Sequence, residues 1–169
     1  MATLAELSQI GKGVSGAYFS SFREYRYALW RIWDRETPAV IFIGLNPSTA
    51  SHIKDDPTIR RMVGFAKSWG FGGLYVGNLY ALVSSNPGEV LARKEESIGT
   101  DNDVVLENLT RVAGITIVGW GNNAQYSNRY KEVLAMLRKP VYCLGITKAG
   151  QPKHPLYLPY MIEPRVFKI

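Results

Sequence analysis

Residues 39–49, AVIFIGLNPST, hold the pattern on which the fold turns. Ala39 to Gly44 is continuously apolar, as a strand buried on both faces must be, and such strands belong to parallel sheets covered by helices. The chain then meets Asn46, Pro47, Ser48 and Thr49, a polar set where a simple turn would suffice. The next helix is delayed until Asp56, a good N-cap, and Pro57, which suits the first helical position because its missing N–H leaves nothing unpaired. Ile59, Met62, Val63, Ala66 and Trp69 recur at helical spacing, and Gly70 supplies the stop.

On the N-terminal side, YRYALWRIW (25–33) alternates like a half-exposed strand, and DRETP (34–38) reads as a turn. These two strands are expected to form an antiparallel hairpin. Tyr25, Trp30 and Trp33 are read as packing residues, with stacking on bases as the alternative. On the C-terminal side, strands are predicted within 73–82, 115–121 and 141–145, a short helix within 84–96, and an amphipathic helix over 127–139. Thr100 with Asp103 resembles a capping box opening a helix through Ala113, with Val105, Leu109 and Val112 on one face. The alternation predicts an α/β three-layer sandwich. Its mainly parallel four-stranded sheet carries helices on both faces, with an N-terminal antiparallel hairpin strand at one edge. One domain over residues 1–169 is expected, with a core of about 22–160.

The single cysteine, Cys143, excludes an internal disulfide and a cysteine-based zinc site, and its apolar setting reads as an inert core thiol. No basic segment leads into a long apolar run, and no apolar stretch reaches membrane-span length, so a cytoplasmic protein with no membrane partner is expected. The net charge of +6 suits a polyanionic partner or a diffusely solvated surface equally well.

In open α/β sheets, ligands bind beyond the carboxyl ends of the strands. There the sequence sets Asn46, Pro47, Ser48 and Thr49 after the first apolar strand, and Asn78 and Tyr80 after the second. Trp120 and Asn122 follow the third, and Lys148, Lys153, His154 and Leu156 follow the fourth. Asparagine amides pair a donor with an acceptor and match the edge of a nucleobase. Histidine binds an anion when charged and donates a hydrogen bond when neutral. No G-x-S-x-G, P-loop or G-x-G-x-x-G motif is present, so no cofactor is expected. Asp55, Asp56 and His52 form a conceivable metal site, but helix capping explains Asp56 without a metal, and none is expected. Each of these residues also has a structural role open to it: Asn46 and Asn78 as turn formers, His154 as a surface residue before proline.

Together IGLNPSTA…DDPTIRR, GNLYAL, GTDND, GWG and PKHPLYL resemble the DUF1643 family of uncharacterised bacterial and phage proteins, over most of the chain. GLNPS, GNLY and HPLY more distantly resemble the motifs of the uracil-DNA glycosylase superfamily, whose fold is a parallel four-stranded sheet between helices. That likeness implies that Asn46 positions the attacking water, Asn78 reads the base, and His154 stabilises the departing base. Leu156 would then hold the gap left by a flipped base. Ser48 stands where that superfamily has glycine, and Leu156 where it has serine. Ser48 and Thr49 are expected at the ligand, with Arg60, Arg61, Lys148 and Lys153 at phosphates. The implied activity is N-glycosidic hydrolysis on nucleic acid or a nucleotide. A non-catalytic nucleic-acid or nucleotide binder, and another hydrolase using Asp55 or Asp56, are the alternatives.

Overall fold

A computed structural model describes residues 3–48 and 54–168. Thr49, expected at the ligand, and His52, considered for a metal, therefore lie outside the described residues. In chain order the elements are α1 (Leu4–Leu7), β1 (Ser15–Phe19), β2 (Arg26–Ile32), β3 (Ala39–Gly44), α2 (Pro57–Ser68), β4 (Gly73–Asn78), α3 (Pro87–Arg93), α4 (Asn102–Val112), β5 (Ile115–Val118), α5 (Arg129–Met136), β6 (Tyr142–Cys143) and β7 (Arg165–Val166). The strands form one mixed sheet in the order β1-β2-β4-β3-β5-β6-β7. The inner ladders β4·β3, β3·β5 and β5·β6 are parallel; β1·β2, β2·β4 and β6·β7 are antiparallel.

The α/β class is as expected, but the four-stranded sheet is corrected to seven strands. The hairpin is corrected as well. β2 pairs with β1 and β4, and β4 lies between it and β3. The turn after β2 hands its hydrogen bonds across the sheet, with Trp33 N and Asp34 N donating to Gly72 O at 3.0 and 2.9 Å. An all-apolar β3 needs partners on both edges, and β4 and β5 supply them.

The side chains of β3 alternate between two cores. Val40 and Phe42 pack with Ile59, Met62, Phe65 and Ala66 of α2. Ile41 and Ile43 pack with Val90 of α3, Val105, Leu106 and Leu109 of α4, and Val133 and Leu134 of α5. Helices thus cover both faces of the sheet. Asp56 caps α2 as its sequence foretells, accepting from Ile59 N at 2.8 Å, with Pro57 at the first position. The Thr100–Asp103 capping box is not formed. Asp101 is the cap residue of α4 and makes no side-chain cap bond, while Asp103 turns to Arg129 of α5. Val112, expected on the buried face, is 66% exposed at the end of α4. Among the described residues no helix is long and apolar enough to cross a membrane.

Phe65 is fully buried between Phe42, Trp69 and Tyr160. Phe65→Ala is therefore expected to cost about 3–5 kcal/mol in urea unfolding. Val112→Ala, on the exposed end of α4, should stay within about 0.5 kcal/mol of wild type.

Candidate functional site

A cavity of about 230 Å³ opens at the carboxyl ends of β3 and β4. Gly44, Asn46, Ser48, Asn78, Trp120 and His154 line it, so five predicted site residues from four separate segments converge there. Arg26, Asp56, Thr58, Ser84, Ser85 and Asn123 complete its polar wall.

The Asn46-Pro47 step acts as a fastener. Asn46 Nδ2 donates to Ser84 O at 2.8 Å and to Pro47 O at 3.1 Å, while Ser84 N donates to Pro47 O at 3.0 Å. This stitches the loop after β3 to the loop after β4. It spends both Asn46 amide hydrogens and leaves Oδ1 as an acceptor. Ser48 Oγ donates to Asp56 Oδ2 at 2.7 Å, tying the same loop to the start of α2.

Asn78 ends β4 and is only 5% exposed. Its backbone carbonyl is held by Asn102 Nδ2 at 3.0 Å, yet its side-chain amide has no hydrogen-bond partner among the described residues. A buried amide open on a cavity can pair with a donor–acceptor edge placed there. Gly44 makes room for it, because a Cβ there would stand 2.8 Å from Asn78 Oδ1.

Arg26, the first residue of β2, is 3% exposed. Burial pushes its pKa down to about 10, while the field of the Asp56 carboxylate works to keep it charged and Arg31 opposes that. Asp55 is committed to Arg31, with Arg31 Nη2 at 2.6 Å and Nε at 2.9 Å from Oδ1. His154 caps a short 3-10 turn, and its Nδ1 accepts from Leu156 N at 3.3 Å, which assigns the proton of the neutral ring to Nε2. His154 is exposed and lines the cavity. The surrounding protein nonetheless removes enough water to lower its pKa, against a smaller opposing pull from Asp56. Gly121, at φ +73, turns the chain so that its N–H reaches Pro152 O at 2.9 Å and draws the histidine segment to this rim. The indole of Trp120 is held by Nε1 donation to Gln151 Oε1 at 2.8 Å.

Other predicted residues lie elsewhere. Tyr80 donates to Ser127 Oγ at 2.7 Å beside α5. Asn122 accepts from Thr147 Oγ1 at 2.6 Å, and its neighbour Asn123 lines the cavity instead. Pro47 is buried and does not line the cavity, and Leu156 is half-buried with its carbonyl accepting from Arg61 Nε at 3.0 Å. Arg61 also covers the Tyr160 ring, and Arg60 donates to Asp55 O at 2.8 Å. Lys148 and Lys153 are exposed, and none of these four cations lines the cavity. Arg26, Ser84 and Ser85 were missed. For the serines a signal existed: SSNP after β4 repeats the hydroxyl and Asn-Pro grouping that follows β3. Among the described residues no group of three or more His, Cys, Asp or Glu is set to hold a metal ion.

An α/β sheet with a small polar cavity at its strand ends is the class of protein these features define. Residues 26–156 match the family described as Protein of unknown function (DUF1643), and the chain belongs to that family. No curated protein and no solved structure matches it.

The histidine yields a pH test. His154 is expected to titrate below its ordinary value in NMR spectra, assigned by the signal lost in His154→Gln. Because the folded ring binds its proton less readily than the unfolded one, its contribution to stability is intact above the unfolded pKa, about 6.5. That contribution should be lost as pH falls from there through the folded pKa. A midpoint at or above the ordinary value would contradict the geometry.

Proposed function

We propose that this chain is an N-glycosidic hydrolase acting on a base held in nucleic acid or in a nucleotide. The observation that carries the reading is the unpartnered, buried amide of Asn78, open on the same cavity as Asn46 and His154. The four inner parallel strands, β4-β3-β5-β6, support the likeness to the uracil-DNA glycosylase superfamily. The cavity, at about 230 Å³, falls below the roughly 300–1,000 Å³ of sites for drug-sized ligands, and so suits a single base better than a dinucleotide.

Each group has a task. Asn78 pairs with the base edge, and the Trp120 indole forms an apolar wall beside it. Asn46 Oδ1, held by the two bonds of its own amide nitrogen, accepts a hydrogen bond from a water and aims it at C1′. The C1′–N bond breaks and its electron pair leaves with the base. The water oxygen bonds to C1′ and loses one proton to solvent. Because the sugar becomes cationic as the bond breaks, orientation and electrostatics count for more than a strong base. Neutral His154 donates from Nε2 to the departing base.

The test is base release from single- and double-stranded oligonucleotides and from nucleotides carrying uracil, hypoxanthine, xanthine or alkylated bases. Wild-type protein should release a base, and Asn46→Ala and His154→Ala should each be slower by about 10²-fold or more. No release from any substrate, with salt-sensitive binding to the oligonucleotides, would favour a binding protein without catalysis.

A further inference from the structure

Hydrolysis of a C1′–N bond makes a demand that His154 meets only in part. The departing base carries the electron pair of the broken bond, and a neutral imidazole opposes that charge merely as a donor. Among the described residues lining the cavity, Arg26 is the one with a permanent positive charge. It is 3% exposed and starts β2, which runs antiparallel to β4 and so brings its first residue to the rim where Asn78 ends β4. Even with its pKa drawn down to about 10 by burial, the guanidinium remains protonated at pH 7. It offers donors only, in a planar fork. A cation withdrawn from water acts on a developing negative charge far more strongly than one at the surface.

We propose that Arg26 is a catalytic residue of this cavity, binding a ring carbonyl oxygen of the base and stabilising the charge that collects there as the base departs. This inference rests on the hydrolase reading above and deepens it. The base leaves as an anion delocalised onto the oxygen held by Arg26, and then takes a proton from solvent. The substrate class follows from the same chemistry. Asn78 presents a donor beside an acceptor, the complement of a lactam –NH–C=O edge, and Arg26 adds donors that need a carbonyl. Uracil, hypoxanthine and guanine carry that edge, whereas adenine has no ring carbonyl for Arg26. Asp56 keeps the cavity close to electroneutral beside Arg26, which favours a neutral base there over a phosphate.

The experiment compares wild type, Arg26→Gln and Arg26→Lys on uracil and on 5-fluorouracil in otherwise identical substrates, with free-base binding measured in parallel. Arg26→Lys keeps the charge and covers the case in which the neutral variant fails to fold. Arg26→Gln is expected to slow uracil release by about 10²-fold or more. It should slow fluorouracil release much less, because that base leaves as a more stable anion. Arg26→Lys should fall between. A uniform loss on both bases would mean that Arg26 only supports the fold, and would overturn the proposal. So would wild-type protein that binds free adenine as tightly as free hypoxanthine. If no base is released, yet free lactam bases bind and Arg26→Gln weakens them at least 10-fold, the hydrolase reading fails and the carbonyl contact stands.

Discussion

The site depends on one carboxylate. Asp56 Oδ1 accepts from Ile59 N and begins α2, Oδ2 accepts from Ser48 and holds the loop after β3, and the same charge offsets the buried Arg26 guanidinium. A buried guanidinium costs several kcal/mol unless an opposite charge stands near it. Asp55 does the corresponding work for Arg31, five residues along the same strand. Two consecutive aspartates at the start of α2 therefore face two arginines of β2, Asp55 in a direct ion pair with Arg31 and Asp56 through its field on Arg26. Asp56 thus joins the cavity wall, the loop after β3 and the start of α2, which is why the polar stretch after β3 is followed so closely by Asp-Asp-Pro.

Much of this was legible in the residues. The apolar run of β3, the cap and proline of α2, and the periodicity of α2 are local signals, and all three describe the chain as it folds. The rule that ligands sit beyond the carboxyl ends of parallel strands singles out Asn46, Ser48, Asn78, Trp120 and His154, and these five line one cavity. The same rule hid Arg26. It looks only at strands running one way, and β2 runs the other way, so the first residue of β2 reaches the rim instead of its last. Strand order was illegible for a related reason: the turn after β2 is short enough for a hairpin, and only the long-range demand of β3 for two parallel neighbours moves it past β4. Near misses came from local turns. A 3-10 segment over Asn122–Tyr126 leaves Asn123 on the cavity and Asn122 on Thr147, and β4 stops at Asn78, so strand alternation no longer governs Tyr80.

The cavity's polarity frames its chemistry. Among the described residues, one cation, one carboxylate and several amides and hydroxyls surround an aromatic wall, and the proposed ligand, a neutral, planar molecule rich in hydrogen-bonding edges, matches that set. The cationic side chains named for phosphate contact stand outside it, two of them on α2 where they already bond to backbone carbonyls. On the proposed reading, recognition of a base and attraction of a polyanion are thus separate physical problems in this chain.

The most direct measurement is a two-dimensional ¹H–¹⁵N NMR titration of the intact protein with free hypoxanthine, uracil and adenine. The account predicts that the lactam bases shift the Gly44 and Asn78 backbone signals, the Asn78 side-chain amide and the Trp120 indole, with adenine acting weakly. Shifts confined to other surfaces, or none with any base, would contradict it.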